Sequence, residues 1–277
     1  RDGIAVLTFD APGYPAALRE IPYPPLVLYR TGRPFPEDPA VAIVGSRAPT
    51  AAGREYARQI SGELAGAGWT VVSGMARGID AAAHEGALGA GGSTVAVLGC
   101  GVDVVYPPEH GELRERILGS GAVLSEYPPG TLPMPRRFPA RNRIVSGLSR
   151  GVIVAEAPER SGALITARIA LEQGREVLVV PGNPWFAHTA GSNRLLREGA
   201  APVCSADDVA GALGGMAVRA PGGASGRILG ALSVERPAAE VSALLGIPLQ
   251  EVMACLGEME VANMVEMRAG GYYKRKT

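Results

Sequence analysis

The sequence predicts an α/β protein: a doubly wound parallel sheet over residues 41–214, followed by a small winged-helix domain over residues 227–277. Three observations carry this. Short, unbroken apolar runs alternate with segments of helical spacing. Each run ends in a loop containing Gly or Ser. A tract dominated by Gly, Ala and Pro then separates this region from a shorter one with a different pattern. Strands buried on both faces by crossover helices need continuous apolar runs rather than alternating ones, so the runs themselves argue for a parallel sheet.

The elements follow in order. Residues 1–40, with Tyr14, Leu18, Ile21 and Leu28, read as an extended lead-in packed on the sheet, with no chemistry visible. Residues 41–44 form a strand ending at Gly45, and Tyr56, Ile60 and Leu64 give the following segment, 50–68, a helical face. The unit repeats as strand 70–73 with helix 79–88 and strand 94–98 with helix 109–118, and then strand 122–125. Residues 127–155 interrupt the rhythm. It resumes with strand 152–155, helix 163–173, strand 176–180, a short helix at 193–197, a last strand beginning at Val203 and a helix at 207–213. Residues 215–226 read as a linker. Beyond it, three helical segments and a hairpin centred on Gly270 and Gly271 match a winged helix. Its third helix, 249–262, carries Glu251, Glu258 and Glu260 and no Arg or Lys, so contact with a protein or a packing role competes with DNA contact.

With 27 basic and 27 acidic residues, the chain does not coat nucleic acid by bulk charge, though a local basic groove is compatible with neutrality. Cys100, Cys204 and Cys255 lack paired spacing, so neither a disulfide framework nor a metal site is expected. There is no uninterrupted apolar run of the ~20 residues that a membrane span needs. Without a leader pattern, and with Arg1 in first place, a cytoplasmic protein with residues missing upstream is expected.

In doubly wound sheets ligands bind at the carboxyl ends of the strands, so the loops there carry the information. Gly45-Ser46-Arg47 runs into a helix, where backbone N–H groups and the helix dipole suit a phosphate. One glycine and an arginine replace the three-glycine dinucleotide fingerprint, so NAD is not expected. Arg47 either forks onto a phosphate or pairs with a carboxylate at its own sheet edge. Gly74, Arg77 and Gly78 offer a second Gly-plus-Arg loop, with Asp80 as a helix cap. The strongest feature is 127–155: Arg136, Arg137, Arg141, Arg143 and Arg150 without one Asp or Glu, and Phe138 and Asn142 among them. Basic residues interleaved with an aromatic suit single-stranded nucleic acid, although Phe138 is equally placed to be a core ring. Ser161-Gly162 opens another helix, with Ser161 as its N-cap. No nucleophile elbow or paired histidines appear; Asp80, Glu126 and Glu156 are the only acid–base candidates, and no partner is arranged for them.

Taken together, Gly45-Ser46-Arg47, the stretches 73–80, 99–107, 125–130, 138–149 and 161–166, and Pro181-Gly182 resemble the DprA (Smf) family over residues 5–214. The resemblance implies an extended Rossmann domain followed by a winged helix. It also implies a non-enzymatic, cofactor-free protein that binds single-stranded DNA, protects it and loads RecA recombinase onto it during natural transformation. The family's basic pocket maps onto Arg47, onto Phe138, Arg141, Asn142 and Arg143, and onto the neighbouring glycine loops. Its homodimer contact maps to about residues 175–212. The competing reading is a Rossmann-like nucleotide hydrolase using the same phosphate loops. Such hydrolases resemble a Pro-Gly-Gly-x-Gly-Thr pattern, where this chain has Glu159-Arg160-Ser161-Gly162-Ala163-Leu164. A regulator of duplex DNA acting through the winged helix is the third reading, weakened by that helix's acidity.

Overall fold

Successive side chains of the central strands go to opposite faces of one sheet, and each face is closed by its own helices. The computed structural model describes residues 3–36, 39–214, 228, 231–232, 234–261, 265–268 and 271–275. In chain order the elements of the first unit are β1 (Ala5–Thr8), α1 (Ala16–Arg19), β2 (Val27–Gly32), β3 (Ala40–Val44), α2 (Ala51–Gly66), β4 (Thr70–Ser73), α3 (Ile79–Gly89) and β5 (Thr94–Leu98). There follow α4 (Gly111–Ser120), β6 (Ala122–Ser125), α5 (Arg137–Gly147), β7 (Gly151–Val154), α6 (Gly162–Glu172), β8 (Glu176–Val179), α7 (Ala190–Arg197), β9 (Ala201–Pro202) and α8 (Ala206–Leu213).

The nine strands are ordered β1-β2-β6-β5-β4-β3-β7-β8-β9. From β3 the chain winds outward to β6, then crosses back to pair β7 with the other side of β3, Val44 opposite Val154. The switch point of this α/β fold therefore lies between β3 and β7, and the loops leaving them diverge to open a cleft. Ala42, Val44, Val72, Val152 and Val154 join α5 and α6 in the core on one face. Val41, Ile43, Val71 and Ile153 join α2, α3 and α8 on the other.

Three expectations need correction. The lead-in is not merely packed on the sheet: β1 and β2 pair antiparallel, and β2 extends the sheet by pairing antiparallel with β6. The last strand is β9, just before Val203 rather than beginning there. The interruption at 127–155 contains α5, whose Ile144, Val145 and Leu148 enter the first core. Pro139 is tolerated there because it sits in the first turn, where a backbone N–H has no intrahelical acceptor in any case.

The chain divides into two compact units, Arg1–Val218 and Arg219–Thr277. The second contains β10 (Arg236–Pro237), α9 (Ala238–Leu245), α10 (Leu249–Val261), β11 (Val265–Arg268) and β12 (Tyr272–Arg275). Its sheet is ordered β10-β12-β11, around a core that includes Ile228, Leu232, Val241, Val252, Leu256 and Tyr273. Helices with a terminal hairpin are a winged-helix arrangement. The linker at 215–226 and Gly270 of the hairpin tip lie outside the described residues. Among those residues no helix is long and apolar enough to cross a membrane.

One buried group makes the fold sensitive to acid. His84 on α3 is fully buried, with Nδ1 2.7 Å from Thr94 Oγ1. The Thr94 hydroxyl donates to Val71 O at 2.8 Å, so Nδ1 carries the proton and Nε2 is left bare. Burial, with the charges of His110 and Arg141, pulls the imidazole pKa down to about 3. The unfolded chain takes up this proton below roughly pH 6.5, while the fold refuses it until about pH 3. Stability from this group is therefore complete above the upper value and falls as pH drops between the two, by up to ~1.4 kcal/mol per pH unit. Urea unfolding across that window should show the slope, and His84→Gln should flatten it; an unchanged slope in the variant contradicts the assignment.

Candidate nucleic-acid interface

The β3–α2 loop is pinned across the switch point to the loop after β7. Ser46 N–H donates to Glu156 O at 2.7 Å. The Glu156 carboxylate, 3% exposed, accepts the Thr50 N–H at 2.9 Å and the Thr50 hydroxyl at 2.5 Å. Thr50 Oγ1 in turn accepts the Gly53 N–H, capping α2. Where the sequence suggests a phosphate at the N-terminus of α2, the structure places an internal carboxylate, which holds Thr50 and faces the positive end of the helix dipole. Glu156 is thereby committed to structure rather than poised as an acid or base.

The glycines of these loops serve internal contacts as well. A Cβ on Gly45 would strike Ile79 and the Glu156 carbonyl. At Gly74 a Cβ would strike the Arg141 guanidinium, and at Gly78, with φ +78°, the Ser46 carbonyl. Gly162 differs, since its Cβ position faces open space. Asp80 does not cap its own helix; its Oδ2 accepts the N–H groups of Gly74 (3.2 Å) and Ala76 (3.3 Å), folding the β4–α3 loop back on itself. Burial pushes the Asp80 carboxyl above the usual range, against the opposing pull of Arg141 and of those N–H groups.

Arg141 is only 4% exposed. Its Nη1 donates to Gly74 O at 2.9 Å and to Val97 O, and its Nε to Asn142 Oδ1 at 3.3 Å. It forms the floor of the cleft, tying the ends of β4 and β5 to α5. Arg143 is not uncompensated: its Nη2 meets Glu126 at 2.5 Å, one residue upstream of the acid-free stretch, and its Nε donates to Tyr23 O at 3.0 Å. Arg77 is paired with Glu109. Arg150 is drawn to Gly214 O at 3.5 Å, well away from the cleft.

The remaining residues converge on a cleft of about 610 Å³. Exposed Arg47 and Arg160 stand on its rim; Gly45, Ser46 and Gly74, Phe138 and Asn142, and Ser161 and Gly162 line it from three sides. Arg47 lies over the Phe138 ring at 5.6 Å, and Tyr106 meets that ring at 5.4 Å. Phe138 is thus half-buried, held in place by Tyr106 and Arg47. Ser161 accepts the Ala163 N–H at 3.2 Å, as an N-cap should. Sequence reasoning missed Arg160 and Tyr106 as parts of this wall. The signal for Arg160 was its place in a strand-end loop beside Ser161, and that for Tyr106 its place in the 99–107 stretch. Arg136 is exposed and does not line the cleft. Among the described residues no cluster of three or more metal-ligating side chains occurs.

The division between pinned and free groups predicts a division in stability. Glu156→Ala leaves the Thr50 N–H and hydroxyl without their carboxylate acceptor and should destabilise the fold by about 2–3 kcal/mol in urea unfolding. Arg47→Ala gives up one exposed cation–π contact and should stay within about 1 kcal/mol of the parent. Similar losses in the two variants contradict this partition.

Comparison with known proteins gives a consistent result. The family model for DNA recombination-mediator protein A matches residues 5–214. The protein Smf of Synechocystis is 47% identical over 213 residues, 75% of this chain and 54% of the cyanobacterial protein. DNA processing protein DprA of Bacillus subtilis is 41% identical over 209 residues, 75% of this chain and 70% of that protein. The crystal structure of DprA from Streptococcus pneumoniae superposes with a TM-score of 0.72 at 42% identity, covering 76% of this chain and 74% of that one. DNA processing protein A of Helicobacter pylori, described for its single-stranded DNA binding mode, gives 0.67 at 31% identity, covering 76% and 95%. The chain thus spans about half of the Synechocystis relative and over two thirds of the others. Since the matched segment takes in the whole nine-stranded sheet and its cleft, the chain belongs to the DNA recombination-mediator protein A family.

Proposed function

We propose that this protein binds single-stranded DNA in the switch-point cleft without reading its sequence, protects incoming DNA and loads RecA recombinase onto it during natural transformation, acting as a homodimer. The observation that carries the DNA reading is the composition of the cleft. Arg47 and Arg160 are exposed cations, Phe138 is a half-buried ring in contact with Tyr106 and Arg47, and Glu156 occupies the N-terminus of α2 while that of α6, at Ser161 and Gly162, faces the cleft. Cations that follow a backbone, beside a ring that stacks on a base, fit a strand better than a mononucleotide. The Helicobacter relative's single-stranded DNA binding mode supports the same reading. The RecA and homodimer assignments rest on the family.

The hydrolase reading loses its acid–base candidates. Asp80 holds two N–H groups of its own loop, Glu126 is paired with Arg143, and Glu156 holds the N–H and hydroxyl of Thr50. No carboxylate of that set is left to activate a water, so we assign no catalysis.

Arg47→Ala should weaken single-strand affinity about tenfold and lower the slope of log affinity against log salt by about 1. Arg116→Ala, an exposed change on α4, is the control. Fluorescence anisotropy reads both effects, and equal behaviour of the Arg47 and Arg116 variants sinks the cleft assignment. Phe138→Ala should cost about 1–3 kcal/mol of binding if its ring stacks on a base; unchanged affinity in the folded variant makes Phe138 a packing residue.

A further inference from the structure

The cleft does not use every aromatic side chain on its edge of the sheet. The first turn of α5 sends two neighbours to different partners: Phe138 to Tyr106 and Arg47, and Arg137 to Tyr127. The Arg137 guanidinium lies 5.0 Å from the Tyr127 ring centre and donates through Nη1 to Leu132 O, so the plane is held from two directions. A second Arg-on-aromatic stack therefore stands one residue along from the first.

Beyond it lies Tyr23. Its side chain is 85% exposed and belongs to none of the apolar clusters among the described residues. Its φ is +58°, a left-handed backbone that a bulky L residue adopts only where its surroundings impose it. Arg143 imposes it in part, donating from Nε to the Tyr23 carbonyl while Nη2 holds Glu126, the neighbour of Tyr127. The strand pairing explains the position. β2 runs antiparallel to β6 with Tyr29 opposite Ser125, so the residues before β2 lie at the carboxyl end of β6. That is the sheet edge on which the cleft loops open.

We propose that single-stranded DNA leaving the cleft continues past β6 over a second stacking station, formed by the Arg137–Tyr127 pair and the exposed ring of Tyr23. The proposal rests on the single-strand reading of the cleft. Guanidinium planes and tyrosine rings stack on bases of any identity, and Arg136, exposed beside Arg137, supplies charge for the backbone. Glu126, the acid beside Tyr127, is neutralised by Arg143. An aromatic side chain exposed outside the core on a left-handed backbone has no packing role that repays the strain. A base stacked on it provides one. The lead-in, which looks inert in sequence, thus becomes part of the binding track.

Anisotropy with the full chain and two oligothymidylates tests this, one short enough to fill only the cleft and one several times longer. Tyr23→Gly removes the ring and relieves the backbone. Its melting temperature should match or exceed the parent's, its affinity for the long strand should fall about tenfold, and its affinity for the short strand should not change. Arg137→Lys keeps the charge and loses the plane, and should show the same length dependence. Unchanged long-strand affinity in Tyr23→Gly overturns the proposal, as does an equal fall on both lengths. Arg47→Ala, which should weaken both lengths, tests the cleft separately: if it weakens neither, the single-strand reading fails whatever Tyr23→Gly does.

Discussion

The Glu156 carboxylate, set across the switch point against Thr50, is the contact on which the cleft depends. It occupies the place where many α/β proteins hold a nucleotide phosphate, and it does so with two hydrogen bonds from one residue that itself caps α2. Two consequences follow from that one carboxylate. The loops leaving β3 and β7 are fixed relative to each other, since Ser46 is bonded to the Glu156 backbone as well. And the negative charge at that helix end leaves Arg47 and Arg160 as the exposed cations of the cleft lining. A protein of zero net charge thereby acquires a locally basic cleft without a basic surface.

The floor obeys the same logic. Arg141 is a cation buried at the ends of β4 and β5, and it stays there because two backbone carbonyls accept from it and Asp80 lies within reach of its field. Burial lowers the proton affinity of the guanidinium and raises that of the Asp80 carboxyl, while each group's charge favours the ionised form of the other. Removing either partner would strand a buried charge, a loss typically of several kcal/mol. Gly74 carries no side chain because the guanidinium fills that space. A sequence pattern that suggests a glycine making way for a ligand is here a glycine making way for an arginine.

How far the sequence could be read depended on the range of the interaction. Strands 70–73, 94–98 and 122–125 were legible to the residue because an apolar run bounded by polar or Gly positions is a local signal. Helix α5 was not, because Arg136, Arg137, Pro139, Arg141 and Arg143 mask the short apolar stripe of Ile144, Val145 and Leu148. The basic cluster was visible, and so was its association with Phe138. The partition of that cluster was not: Arg143 finds Glu126 at 17 residues' separation, Arg141 finds Gly74 at 67, and Thr50 finds Glu156 at 106. Which arginines stay free is a property of the tertiary fold. The lead-in was misread for the same reason, since only the pairing of β2 with β6 brings Tyr23 to the sheet edge where the cleft loops open.

The central claim is that a cleft lined by exposed cations and a half-buried ring, with Glu156 at the N-terminus of α2, holds an extended single strand. It is tested most directly by anisotropy with a labelled single strand and a duplex of equal length, over a salt series, with an unlabelled mononucleotide as competitor. The account predicts tight, salt-sensitive binding that prefers the single strand and is not displaced by the mononucleotide at concentrations far above that of the strand. Equal binding to the duplex, or ready displacement by the mononucleotide, would contradict it.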